Sequence, residues 1–264
     1  MDDSDTLKWL PAEGRTEQLL ILLPAFFLIA GLYTSVGHAG ASGYLAVMAL
    51  LAIAPETMRP TALALNILVA SFTFYRFASA GYFSWRAVWP FILGSIPLAA
   101  LGGSLRLPTG IYYVLAGIAL ALSSGVLAWR AYGQPTAENA TDKARIPILP
   151  AIACGAAIGL LSGLTGTGGG IFLSPIVLLA GWARPRHAGG ITAPFILANS
   201  TVALAAGTAT WASLPAELPW LALAVLAGAA AGTWLGLQWL STRWLLALMA
   251  LVLVIAAAKL ILTA

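Results

Sequence analysis

Residues 158–175 place a cluster of glycines inside a long apolar run, in the order IGLLSGLTGTGGGIFLSP. A glycine in a helix interior costs about 1 kcal/mol relative to alanine, so an uninterrupted lipid-facing helix is disfavoured here. Non-helical backbone at membrane depth is tolerated only where protein buries it or where it lines a polar cavity. The stretch therefore predicts a broken membrane helix with a small polar site at its break.

A second glycine-rich stretch, in the first half of the chain, matches this one. Residues 30–45 read AGLYTSVGHAGASGYL and align with it so that Gly31 falls on Gly159 and Thr34 on Ser162. Glycine-broken apolar segments at corresponding places in two halves of a chain are typical of the substrate site of a transporter. The repeat is a stronger signal than either glycine cluster alone.

The composition supports a membrane protein. Hydrophobic residues make up 60% of the 264 residues and charged residues 8%, whereas about a quarter of the residues of a soluble domain are charged. The net charge of +4 does not indicate nucleic-acid binding, because the basic residues sit in short turns between apolar runs. A polytopic membrane protein without a sizeable aqueous domain is the expected class.

The apolar runs predict an all-α integral membrane fold built from two homologous repeats of inverted topology. Each repeat consists of a re-entrant or broken Gly-rich helical hairpin followed by three transmembrane helices, and an odd number of five helical pieces makes the repeats opposite in orientation. The predicted pieces are 19–36, 44–54, 61–79, 87–104 and 110–129 in the first repeat, and 148–164, 171–182, 189–211, 218–240 and 244–262 in the second. Residues 55–60 and 183–188 are predicted turns.

The polar segments divide the chain into four parts. We predict a polar N-terminal tail at 1–17, a first membrane repeat at 18–130, an inter-repeat linker at 131–146 and a second membrane repeat at 147–264. Placing both termini outside puts seven basic residues in cytoplasmic connections and four on the outer side, as the positive-inside tendency requires. The seven are Arg86, Arg130, Lys143, Arg145, Arg184, Arg186 and Arg243, and the four are Lys8, Arg15, Arg59 and Arg106.

The two glycine breaks are the predicted substrate site. Each precedes a short helix whose N-terminus offers unpaired backbone N–H groups and about half a positive charge, which favours a bound anion without a buried Lys or Arg. Hydroxyls and amides beside the breaks complete the site or satisfy freed backbone groups. The candidate substrate-binding residues are Thr34, Ser35, His38, Gly40, Ser42, Asn66, Arg76, Thr165, Thr167, Gly168, Gly169, Gly170, Thr192 and Asn199.

Two of these candidates carry alternatives. His38 donates to an anion, titrates during transport, or is a neutral histidine satisfied by backbone. Arg76 supplies positive charge to the pathway or extends its head group to the membrane interface. In contrast, the glycines at 155, 159, 228, 232 and 236 lie on uninterrupted apolar stretches, which predicts close helix packing.

No catalytic constellation, metal-spaced cluster or cofactor motif is recognisable in the sequence. The glycines lack the lysine of a phosphate-binding loop, and Ile171 stands where a dinucleotide fingerprint needs its third glycine. All nine acidic residues fall in predicted tails or connections, so coupling to protons or sodium through a membrane carboxylate has no candidate. We expect neither enzymatic activity nor a cofactor.

At the glycine breaks the sequence resembles the TauE/SafE family of sulfite and organosulfonate exporters. The resemblance covers residues 18–262 and rests on the duplicated breaks VGHAGASG and LTGTGGG, on the short segments after them, on the turns RPTA and RPRHA, and on AGYFSWR. The first break departs from the commoner GxGGG form, because His38, Ala41 and Ser42 replace glycines. The resemblance implies export of a small sulfur-containing anion, such as sulfite, sulfoacetate or a related sulfonate, across the bacterial inner membrane.

Other functions remain open from the sequence. The chain could import, or form a channel for, another small anion, since direction is not written in the motif. It could also be a non-transporting membrane assembly partner in which the glycines serve packing only. The expected partners are an inorganic or organic anion and the lipid bilayer, without nucleic acid, and the Gly-rich late spans permit a homodimer.

Overall fold

The fold is all-helical in the computed structural model, which describes residues 15–35, 37–132, 146–207, 214–235 and 242–264. Those residues contain ten α-helices and no strand. The helices are α1 Arg15–Ser35, α2 Ala41–Leu50, α3 Pro55–Ser79, α4 Trp85–Ser104, α5 Thr109–Tyr132, α6 Ile148–Thr165, α7 Gly170–Leu179, α8 Pro185–Ala206, α9 Leu218–Leu235 and α10 Thr242–Leu262.

Six of these helices are long and apolar enough to cross a membrane, namely α1, α3, α4, α5, α6 and α8. The helices after the two breaks, α2 and α7, have 10 residues each. Ten residues of helix extend about 15 Å, which is half of a hydrocarbon core of about 30 Å. The prediction that each break is followed by a helix too short to span is therefore confirmed.

The predicted turn at 55–60 is wrong throughout, and the predicted turn at 183–188 is wrong from Pro185 onward. Pro55 begins α3 and Pro185 begins α8, so the residues after each proline belong to the first turns of a helix. Proline is well suited to the first helical position, where its missing N–H has no intrahelical partner and its fixed φ matches the helix. Consequently Arg59, expected in an outer connection, lies within α3.

Close backbone contacts between helices explain the glycines of the uninterrupted stretches. A Cβ on Gly155 would collide with the carbonyl of Phe91 on α4, and a Cβ on Gly228 would collide with the carbonyl of Phe27 on α1. One turn further on, Gly159 meets Ser95 in the same way. In the described residues α4 thus packs on α6 and α1 on α9, and the predicted packing role is confirmed for the glycines at 155, 159, 228 and 232. The glycine at 236 lies outside the described residues.

The other long contacts join corresponding helices. On α3 and α8, Asn66 lies beside Ser200 and Phe77 beside Gly189, so the two helices run antiparallel. Helices α5 and α10 also run antiparallel, with Ser124 donating to the carbonyl of Ala250 and Gly110 lying near Ala264. The third helices of the two halves therefore pack on each other, and so do the last helices.

Parts of the predicted boundaries fall outside the described residues. They include most of the polar tail at 1–17 and most of the linker at 131–146. Helix α5 continues to Tyr132, two residues past the predicted end of the first repeat.

Candidate functional site

Left-handed backbone at glycine produces both breaks. In the first break, residues 37–40, Gly40 has φ 101° and precedes α2; in the second break, residues 166–169, Gly169 has φ 79° and precedes α7. This conformation favours glycine because a Cβ would be strained there. Neither helix has a side-chain cap at its N-terminus. Each break therefore presents the free backbone N–H groups of a helix start, as predicted from the glycine pattern.

His38 joins the two breaks. Its Nε2 lies 3.2 Å from the carbonyl oxygen of Gly170, the first residue of α7, and the side chain is only 3% exposed. A carbonyl can only accept, so Nε2 carries the proton and His38 is the donor. The starts of α2 and α7 are thus brought together in the interior.

Helices α3 and α8 wall the second break. A Cβ on Gly168 would collide with the amide nitrogen of Asn66 and would lie 3.2 Å from the hydroxyl of Ser200. A Cβ on Gly170 would collide with Ile196 and would lie 2.9 Å from the Thr192 methyl group. Both glycines are therefore needed for the close approach of the break to these helices.

Several buried polar atoms near the second break have no hydrogen-bond partner among the described residues. They are Oδ1 of Asn66, Oγ of Ser162, and both amide atoms of Asn199. The Ser162 Cβ would lie 3.4 Å from a Cβ on Gly169, and Asn199 follows Ile196 by one helical turn, on the same face of α8. Buried polar groups in proteins are normally paired, so these atoms are available to bind a polar ligand or water.

The Asn66 amide can present either its N–H donors or its oxygen acceptor to a ligand. Its Nδ2 donates to the Ser200 hydroxyl over a long 3.4 Å, and a half-turn of the amide exchanges nitrogen and oxygen. Because a hydroxyl both donates and accepts, Ser200 satisfies either orientation. In the turned orientation the amide N–H groups are free to donate to an anion.

The remaining hydroxyls of the second break are bonded to each other or to backbone. Thr165 donates to the carbonyl of Leu161 at 2.7 Å, and its hydroxyl lies 3.0 Å from that of Thr167. Thr192 donates to the carbonyl of Ala188 at 2.7 Å. These three are 5% exposed or less and lie beside or within the break.

The predicted hydroxyls of the first break are all satisfied. Thr34 donates to the carbonyls of Ala30 at 2.8 Å and Ala229 at 3.3 Å, and Ser35 donates to Leu32. The hydroxyl of Ser42 lies 2.8 Å from that of Tyr33. These hydrogen bonds lie within α1 or connect α1 to α9 and to α2.

Arg76 lies apart from the residues assembled at the second break. It is exposed and sits in the last turn of α3, ten residues from Asn66 and therefore about 15 Å along the helix. The described contacts do not bring it to either break.

Ser200, Tyr112 and the burial of Arg59 were not predicted from the sequence. Tyr112 donates its hydroxyl to the carbonyl of Thr165 at 3.2 Å, at the end of α6. Arg59 is 8% exposed and lies against Gly166, with its Cγ 3.1 Å from where a glycine Cβ would stand. The burial of Arg59 had no signal in the sequence, because residues 55–60 were interpreted as an exposed turn. These residues are in fact the first turns of α3.

The comparisons with known proteins agree with this architecture. The family model described as Sulfite exporter TauE/SafE matches residues 21–260. A relative from Sinorhizobium fredii (strain NBRC 101917 / NGR234), named probable membrane transporter protein y4hK, is 41% identical over 237 residues, which cover 90% of this chain and 96% of that protein. No solved structure matches the chain significantly. The family is one of transporters rather than enzymes, and the chain belongs to it: this is a multi-pass membrane transporter of the TauE/SafE family.

Proposed function

We propose that this protein exports a small sulfur-containing anion, such as sulfite, sulfoacetate or a related sulfonate, across the bacterial inner membrane. The substrate binds near the membrane midplane, between the first and second breaks. The observation that carries the proposal is the meeting of two uncapped helix N-termini, linked by His38, beside unpartnered buried polar atoms. Positive helix ends and free donors are what an oxyanion requires.

The residues of the site divide by role in this proposal. The backbone N–H groups at the starts of α2 and α7 hold the anion oxygens. Asn66, Ser162 and Asn199 each supply at least one buried polar atom that has no partner among the described residues. Gly168 and Gly170 keep the site open to these groups, because a side chain at either position would fill it.

Helix directions support two repeats of inverted topology. The pairs α3–α8 and α5–α10 occupy corresponding places in the two halves and run antiparallel. The first helix of each half packs on the fourth helix of the other half, α1 on α9 and α6 on α4. Such an exchange is what a two-fold axis in the membrane plane would produce, with the substrate site on that axis.

Charge placement supports an orientation with both termini outside. Arg186 donates to the hydroxyl of Tyr82, at the end of the bundle where α3 ends and α8 begins. Arg76, Arg86 and Arg184 lie at this same end in the chain order. Arg59, Arg106 and Lys259 lie at the other end. Over the whole sequence, seven basic residues fall in connections at the first end and four on the other side, and the end with more basic residues in its connections is the cytoplasmic one.

The membrane potential alone favours export of an anion. An inside-negative potential drives one negative charge outward by about 2.3 kcal/mol per 100 mV. Export by this protein therefore requires no coupling ion, and imposing the potential is a direct way to change its rate.

Efflux from proteoliposomes tests the proposal. Vesicles with the purified protein are loaded with sulfite, sulfoacetate, sulfate, chloride or a neutral solute, with and without an imposed potential. We expect selective efflux of a sulfur oxyanion, accelerated when the potential favours anion exit. Folded protein that moves none of the anions would overturn the proposal, and faster efflux against that potential would overturn the proposed energetics.

Two controls accompany this experiment. Protein-free vesicles give the leak rate of each solute.

The orientation is tested in intact cells with an Arg106→Cys variant in a Cys154→Ser background. An impermeant thiol reagent added outside should label this cysteine. Labelling only after the membrane is opened would contradict the proposed orientation without affecting the conclusion on anion selectivity.

A further inference from the structure

Arg59 is a buried cation that caps the end of a helix. Its guanidinium donates to the carbonyls of Gly102 at 2.7 Å, Gly103 at 2.6 Å and Leu105 at 3.0 Å, all at the C-terminal end of α4. Its Nε is buried and has no hydrogen-bond partner in the described part of the chain.

The same residue lies against the end of α6, through its backbone and the start of its side chain. The Cγ, Cα and carbonyl oxygen of Arg59 lie 3.1–3.3 Å from where a Cβ on Gly166 would stand, and Gly166 is the residue that terminates α6. Arg59 therefore places a full positive charge where two helices, α4 and α6, end. The C-terminus of a helix carries about half a negative charge.

This position has a consequence for an anion in the second break. The break lies between the negative end of α6 and the positive start of α7, only residues 166–169 apart. Without compensation, the end of α6 repels the anion that the start of α7 attracts. A charged residue kept inside a membrane protein despite its cost is usually tied to the substrate pathway.

The first break has a different neighbour at its beginning. Gly37 packs on Gly189 and on the ring of Phe77, which carry no charge. Arg186 lies one turn before Gly189 on α8, but it is exposed and donates to the hydroxyl of Tyr82. The buried cation therefore lies at the second break, whereas the cation near the first break is exposed. This asymmetry coincides with the unpartnered polar atoms, which also lie around the second break.

We propose that Arg59 is a charge-compensating residue of the substrate site: it neutralises the ends of α4 and α6 and thereby allows the second break to bind an anion. The inference rests on the proposed anion transport. Arg59 acts through its electric field and through the position of Gly166, without contacting the substrate. Residue 168 lies at most about 7 Å from residue 166, so the charge is on the order of 10 Å from the bound anion.

Transport kinetics of charge variants test this role. A unit charge about 10 Å from an anion, at an effective dielectric constant of about 20, changes binding roughly ten- to twentyfold. We expect Arg59→Met to raise KM by about that factor for a singly charged sulfonate such as methanesulfonate. For the doubly charged sulfoacetate the expected factor is about the square of this, whereas Arg59→Lys keeps KM near the wild-type value.

Stability measurements on the same proteins separate charge from packing. Both variants lose hydrogen bonds to α4, so the melting temperature of each should fall. A purely structural role predicts equal KM changes in the Lys and Met variants and no dependence on substrate charge, and either result overturns the inference. If Arg59→Met does not fold, Arg59→Lys decides alone, because a KM raised tenfold despite the retained charge would also overturn it.

The failure of this inference and the failure of the proposed function are distinguishable. Wild-type protein that moves no anion overturns both. Wild-type protein that moves an anion, with an unchanged KM in folded Arg59→Met, overturns only the role of Arg59. As a matched control, Arg106→Met removes an exposed cation just beyond the end of α4 and should leave KM unchanged.

Discussion

The first and second breaks come from equivalent places in the two halves, yet their chemistry differs. Around the first break, the polar side chains of Thr34, Ser35 and Ser42 all have hydrogen-bond partners. Around the second, Ser162 and Asn66 have buried polar atoms without partners in the described residues. Three glycines of the second break also have positive φ. Equal position in a repeat therefore does not mean equal function.

The two breaks show how the copies of a duplicated element can take different roles. The first break is closed by its own side chains: the Tyr44 hydroxyl donates to the carbonyl of Ala39 at 2.8 Å, and Tyr33 holds Ser42. In the second break Gly170 stands in place of Ser42, and the residues aligned with Tyr44 and Tyr33 are Phe172 and Leu161, which carry no hydroxyl. No side-chain hydroxyl therefore closes the second break in the same way, and the hydroxyl of Ser162 has no partner among the described residues. We infer that the first break mainly holds the architecture, whereas the second supplies most of the substrate contacts.

The largest expected effect is at Gly168. In Gly168→Val the new side chain meets the Asn66 amide and the Ser200 hydroxyl, in a backbone conformation with φ 74°. We expect efflux to fall by about a hundredfold, the scale of misplacing reacting or binding groups by about 1 Å. The measurement is the initial efflux rate from proteoliposomes with equal amounts of folded protein.

Two matched variants show whether collision or backbone strain causes that loss. Gly81 has nearly the same φ, 79°, but nothing lies within 4 Å of its would-be Cβ, so Gly81→Val carries the strain without the collision. Gly40→Val fills the first break, against the Tyr44 ring at 2.9 Å, and should chiefly lower thermal stability. Normal efflux in folded Gly168→Val would remove the second break from the substrate pathway.

A smaller effect is expected from the aligned pair Thr34 and Ser162, both fully buried. In Ser162→Ala a hydroxyl without a protein partner is lost, so stability should hold while KM rises about tenfold, the scale of a hydrogen bond to a charged group. In Thr34→Val the bond to Ala229 is lost, so the melting temperature should fall at unchanged KM. The reverse pattern, with Thr34→Val raising KM and Ser162→Ala lowering stability, would invert the assignment of roles.

Much of the fold was predictable from the sequence because the lipid environment restricts it. Long apolar runs had to be helices, and the glycine clusters had to interrupt them. The two short helices and the packing glycines at 155 and 228 followed from the same pattern and are confirmed. Helix starts were less predictable. A proline can either end a helix or occupy its first position, and both Pro55 and Pro185 occupy the first position.

The site was predictable as a location but not as a set of contacts. Thr34 and Ser162 are both small hydroxyl residues beside a break, and only the packing of α9 against α1 gives Thr34 its second partner. Similarly, Ser200 pairs with Asn66 because α3 and α8 cross antiparallel, a relation between residues 134 apart. Such long-range contacts leave no local signal in a single sequence. The pairing of each hydroxyl or amide therefore required the tertiary structure.

The smallest expected effect is at His38, the one predicted site residue that joins the two breaks directly. Replacing it with alanine removes the hydrogen bond to the Gly170 carbonyl, worth about 1 kcal/mol, so transport should fall about fivefold. Glutamine, which also carries an N–H donor, should restore part of the rate. Because a neutral imidazole already supplies the N–H that the Gly170 carbonyl accepts, this role requires no titration, and the pH profile of transport between about pH 5.5 and 8 should be the same in wild type and His38→Gln. A wild-type step near the ordinary histidine pKa of about 6.5 that disappears in His38→Gln would instead show that His38 titrates during transport, and the first break would then share in the substrate chemistry that we assign to the second.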